Sequence, residues 1–142
     1  MKNLGHRLGA SGTILENTIE GFLESLDLVS DKRFKYWEFD VRESSDGVLF
    51  AFHDDCIKIN GKMIETRYLS YDEIYRAGES MMISIPTFQQ IMEVIKDRKE
   101  RVMIEIKNVH SDAARETLLL SVSGNEDWML MSTPERFVKS FP

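Results

Sequence analysis

The chain has 142 residues, 42% hydrophobic and 30% charged, which is enough for one domain spanning 1–142 with a sizeable core. Eighteen Lys and Arg against 24 Asp and Glu leave a net charge of -6, which argues against a nucleic-acid-binding protein, since basic surface supplies that affinity. The lone Cys56 demands no oxidising compartment, no stretch approaches a membrane span, and Met1-Lys2-Asn3-Leu4 lacks the apolar region of a secretion signal, so a soluble, cytoplasmic protein is expected.

In chain order, a first strand is expected at residues 3–7. A helix follows from Asn17, with Asn17 as its cap and Ile19, Phe22, Leu23, Leu26 and Val29 as its apolar stripe. Residues 36–41 alternate at period two, with Trp37, Phe39 and Val41 on one face and Tyr36, Glu38 and Asp40 on the other. Ser45-Asp46-Gly47 signals a turn, and residues 48–53 read as another strand. Capping-box spacings at Ser70/Glu73 and Thr87/Gln90 open two further helices. Residues 102–107 alternate again, with Glu105 and Lys107 on the polar face. A helix at 113–122, a strand at 128–132 and a last helix capped by Thr133-Pro134 complete the chain.

Strands alternating with helices imply an α/β fold with a mostly parallel sheet. Parallel strands covered on both faces read apolar on both faces. Here one face carries carboxylates at i and i+2, as expected if the polar side chains sit inside a barrel, near the strand ends where barrel active sites are built. Glu38, Asp40 and Glu105 would then share one mouth. Three carboxylates so close repel one another unless a hard divalent cation with oxygen ligands, Mg²⁺ or Ca²⁺, joins them. The alternative is a row of acids on a half-exposed sheet facing solvent.

Gly5-His6-Arg7, Glu16-Asn17-Thr18, Glu38-Phe39-Asp40-Val41, Ser45-Asp46-Gly47, His53-Asp54, Ile85-Pro86-Thr87 and Ile104-Glu105-Ile106-Lys107 occur in that order. Together they resemble the glycerophosphodiester phosphodiesterases, metal-dependent TIM-barrel enzymes that release glycerol phosphate and an alcohol. The resemblance implies His6 and His53 as the catalytic pair, which suits two imidazoles dividing acid and base roles near neutral pH. Arg7 and Lys107 offer a planar fork and a point charge for phosphate oxygens, or else serve as internal ion-pair partners. Glu16 belongs to a motif that organises the site. Asp54 either orients an imidazole or caps a turn, and His110, outside any motif, is expected to be structural.

Two departures stand out. Leu8 occupies the place after His-Arg where this family usually has glycine. The length, about 4.6 units of a barrel that takes roughly 250 residues for eight, matches a (β/α) barrel truncated to about five units. Such a sheet has open edges, which implies a homo-oligomer that closes it. Two other functions compete with hydrolysis: a non-catalytic remnant that binds a phosphorylated ligand or serves assembly, and a lyase-type phosphodiesterase acting on phospholipid head groups.

Overall fold

The computed structural model describes residues 2–142. Where a first strand was expected, His6–Gly9 form a 3₁₀ turn instead. Arg7, Leu8 and Gly9 all have positive φ, at 50°, 61° and 90°, and a strand cannot run through left-handed backbone. The segment still lies against the sheet, because Gly5 accepts a hydrogen bond from the Glu38 N–H at 3.0 Å.

Helix α1 covers only Ile19–Glu24, and its cap is Thr18, whose hydroxyl accepts from the Gly21 N–H. Leu26–Ser30 continue as a 3₁₀ turn, so the expected stripe is split: Phe22 is buried and Leu23 is exposed. Strand β1, Trp37–Glu43, is buried at all seven positions. The turn at Ser45-Asp46-Gly47 returns the chain as β2, Leu49–Ala51, which therefore pairs antiparallel with β1. A connection this short cannot join parallel neighbours.

Residues 56–65 contain a hairpin absent from the sequence reading, β3 (Cys56–Ile59) and β4 (Lys62–Glu65), joined by Asn60-Gly61 with φ of 51° and 78°. Both capping boxes form as expected, opening α2 (Tyr71–Ser80) and α3 (Phe88–Ile95). Strand β5 (Val102–Asn108), α4 (Asp112–Val122), β6 (Trp128–Met131) and α5 (Pro134–Ser140) follow, all close to the expected bounds.

The main sheet has the order β2-β1-β5-β6, with β1, β5 and β6 parallel. It is a partial barrel wall and does not close on itself. Trp37, Phe39 and Val41 join Val102, Ile104 and Ile106 on its apolar face, against Phe22, Phe88, Ile91, Ile95, Ala114 and Leu118 of the helices. Trp37 meets Phe22 edge to face at 4.7 Å, and each such fully buried side chain contributes roughly 1.5–3 kcal/mol. A smaller cluster under the hairpin and α2 is linked to the first through β2, since Phe50 faces one core and Leu49 and Ala51 the other. The polar face of β1 is thus left for the turn at His6–Gly9 and for Asn17 to cover.

Candidate active site

The parallel register of β1 and β5 sets Asp40 opposite Glu105, and the two-residue pleat puts Glu38 on the same face. One carboxylate oxygen from each of the three lies within 4.8 Å of the others. Glu38 is 5% and Asp40 1% exposed, so the acids do not sit on a solvated sheet face. Glu38 accepts from the Arg7 N–H at 3.0 Å. Asp40 accepts from Asn17 Nδ2 at 2.9 Å and returns its own N–H to Asn17 Oδ1 at 3.2 Å. Asp40 Oδ1 is buried without a hydrogen-bond partner.

Burial, then the neighbouring Asp40, push Glu38 up to about 8. Burial, then a hydrogen bond with Glu105, push Asp40 up to about 6. Burial also acts upward on Glu105, but hydrogen bonds from Asp40 and Glu38 and the charge of Lys107 outweigh it and bring it down to about 2. The cluster therefore retains protons that water-exposed carboxylates would lose. An all-oxygen donor set with an orphaned buried oxygen is the chemistry a hard divalent cation satisfies.

Cations surround these acids. Lys107 Nζ lies 3.2 Å from Glu105 and 3.7 Å from Asp40, with its side chain 9% exposed. The register slips by one residue after Val41, leaving Lys107 without an opposite residue, so Lys107 and Asn108 both turn toward the polar side. Arg7 is ion-paired to Glu16 and lies 3.9 Å from Asp40. Arg7 and Lys107 are thus internal ion-pair partners in this structure while bordering the cluster.

His6 opens the turn at Gly5. Its Nδ1 lies 2.9 Å from Ser11 Oγ and its Nε2 3.9 Å from Glu38. Burial, then Arg7, lower its pKa. It shares a cavity of about 540 Å³ with Arg7, Glu38, Glu105 and Met131. His53 does not line that cavity. It follows β2 by two residues, its Nδ1 bonds Asp54 at 2.8 Å, and its carbonyl accepts from Arg42 Nη2 at 2.6 Å. Asp54 thus contacts an imidazole instead of capping a turn.

Three residues near the site had no place, or the wrong one, in the sequence reading. Asn17, expected as a helix cap, is 2% exposed with φ of 60° and holds Asp40 from 23 residues away. Glu43, fully buried, accepts the N–H groups of His110 and Ser111 at 2.8 and 3.0 Å and so ties β1 to the start of α4. Arg42 is 6% exposed and reaches back to the carbonyls of Phe52 and His53. Asn17 was signalled by the Glu-Asn-Thr motif; Glu43 and Arg42 had no local signal.

The sequence model of the Glycerophosphoryl diester phosphodiesterase family matches residues 6–138. A glycerophosphodiester phosphodiesterase from Agrobacterium tumefaciens is 25% identical over 83% of this chain and 54% of its own, with a TM-score of 0.58. One from Parabacteroides distasonis is 24% identical over 89% of this chain and 54% of its own, at 0.58. One from Thermotoga maritima is 23% identical over 89% and 52%, at 0.59. The chain therefore spans about half the length of these solved structures. No curated protein sequence matches it significantly.

Proposed function

The chain belongs to the glycerophosphoryl diester phosphodiesterase family, and from that premise we propose that residues 1–142 form a single domain hydrolysing glycerophosphodiesters to glycerol phosphate and an alcohol. The observation that carries this reading is the meeting of Glu38, Asp40 and Glu105 beside His6. These three carboxylates would hold a divalent cation, Mg²⁺ or Ca²⁺, which would supply positive charge to offset that of the phosphodiester.

The chain's own residues supply the rest. Arg7 and Lys107, bordering the carboxylates, hold phosphate oxygens. His6, with its pKa lowered, is neutral near pH 7; with Nδ1–H donated to Ser11, its Nε2 takes the proton of the attacking water. His53 donates Nδ1–H to Asp54, which fixes the ring, and its Nε2–H protonates the departing alcohol oxygen. The P–O bond to water forms as that to the alcohol breaks, with one proton taken up and one released. Glu16 keeps Arg7 in place.

A homo-oligomer would cover the exposed side and outer edge of β6. Met129 and Met131 are exposed on β6, whose outer edge pairs with no strand among the described residues. The free thiol of Cys56 suits a cytoplasmic location, and no described helix is long and apolar enough to cross a membrane.

The absence of His53 from the cavity that holds His6 favours one other reading, a remnant that binds phosphorylated ligands without turning them over. Phosphorus NMR of glycerophosphocholine incubated with the chain and Mg²⁺ or Ca²⁺ decides. Glycerol phosphate as first product supports hydrolysis, a persistent cyclic phosphate supports a lyase, and unchanged diester supports the remnant.

A further inference from the structure

A second cavity, of about 810 Å³, opens beside the cluster on the same side of the sheet. Five basic side chains line it: Arg42, Arg67, Lys107, Arg136 and Lys139. Arg67 and Lys139 are already paired with Glu65 and Glu135, at 3.3 and 3.1 Å. Lys107 is shared with Glu105 and Asp40. Arg42 and Arg136 form no ion pair with any described carboxylate, although Asp55 stands on the cavity's exposed rim.

Arg42 is the informative residue. It is 94% buried if its 6% exposure is subtracted from the whole, and its guanidinium bonds only to two neutral carbonyls. Asp55 acts on it from the rim without a direct ion pair, and a cation buried in this way is costly to hold; the cost falls when an anion enters the space it faces. Asn108 lines the same cavity, with its Oδ1 buried and unpartnered. Its amide presents either an acceptor or, after a half-turn, a donor to an occupant.

Because Lys107 belongs to both this cavity and the carboxylate cluster, a molecule whose phosphodiester lies at the cluster extends one end toward Arg42 and Arg136. We propose that this cavity binds an anionic group carried by the alcohol half of the substrate. The chain accordingly selects glycerophosphodiesters whose alcohol bears its own phosphate over those whose alcohol is neutral. This rests on the hydrolase reading for the word substrate; the anion site itself does not.

Two measurements separate these levels. First, inorganic phosphate is titrated calorimetrically into the chain held in EDTA, so that no cation at the carboxylates contributes. Binding that weakens about tenfold or more in Arg136→Gln, an exposed position on α5, is expected. Equal binding in both forms, or none in the parent, overturns the anion site. Arg42→Gln serves as a second variant, with its fold checked by cooperative melting.

Second, hydrolysis of glycerophosphoinositol is compared with that of glycerophosphoinositol 4-phosphate. The parent chain is expected to favour the phosphorylated ester about tenfold in kcat/KM, and Arg136→Gln to bring that ratio toward one. A ratio near one in the parent, with phosphate binding intact, means the cavity takes a free anion and overturns the substrate assignment. Failure to hydrolyse either ester overturns the hydrolase reading, while the titration still decides the anion site.

Discussion

Asp40 on β1 and Glu105 on β5 are register partners across a parallel strand pair, and their carboxylates meet with that of Glu38 within 4.8 Å. In the folded chain Glu38 keeps its proton to about 8 and Asp40 to about 6, whereas unfolded carboxylates release theirs near pH 4. Between those limits the folded state binds more protons than the unfolded one, so stability falls as pH rises. Glu105, brought down to about 2, acts oppositely, and its contribution is lost only as pH falls below about 4.5. In EDTA the Tm is expected to drop by several degrees from pH 5 to pH 8, and Ca²⁺ or Mg²⁺ should restore most of it at pH 8. A Tm in EDTA that is flat or rises over this range contradicts the proton-sharing cluster.

The two histidines are expected to be separately essential. His6→Ala and His53→Ala should each lower kcat on glycerophosphocholine by about 100-fold or more, with the double variant little worse than either. Asp54→Asn should cost about tenfold, through loss of its bond to His53. Near-normal turnover in either single variant removes that residue from the mechanism.

Leu8 pits backbone against core. Its φ of 61° costs about 1–2 kcal/mol for a residue with a Cβ, which accounts for glycine being usual there in the family it resembles. Its side chain, 1% exposed, packs into the main core. Removing a buried leucine costs about 3–5 kcal/mol, so Leu8→Gly should be less stable by about 2 kcal/mol in chemical denaturation. A gain in stability would show that backbone strain outweighs packing here.

Much of this arrangement was legible because it rests on short-range signals. Period-two alternation located β1 and β5, and Ser70/Glu73 and Thr87/Gln90 marked their helices through reciprocal caps. The β3–β4 hairpin carries its own local signal, since Asn60-Gly61 is a strong turn pair for positive φ at both positions. The supposed first strand failed because left-handed backbone at Arg7 and Leu8 leaves no trace in hydrophobic pattern. The Glu-Asn-Thr motif flagged Asn17 but not its bond to Asp40, and nothing local flagged Glu43, because their partners lie 23 and 67–68 residues away. Both satisfy hydrogen bonds that only the folded chain creates.

The exposed methionines and unpaired outer edge of β6 lead to a prediction about assembly. Light scattering at micromolar concentration should give a molar mass of at least twice 16.5 kDa. Placing a lysine at Met129, on the exposed face of β6, should shift the population toward monomer. A monodisperse monomer that melts cooperatively and binds no apolar dye contradicts the homo-oligomer.

That hydrolysis needs a divalent cation at Glu38, Asp40 and Glu105 is tested most directly by initial rates of glycerol phosphate release. They are to be measured for the parent chain and Glu105→Gln, each in Mg²⁺, Ca²⁺ and EDTA. Release is predicted from the parent only with a divalent cation, and at least about 100-fold more slowly from Glu105→Gln in either cation. Equal rates from the parent in EDTA and in cation, or from parent and Glu105→Gln in cation, would contradict it.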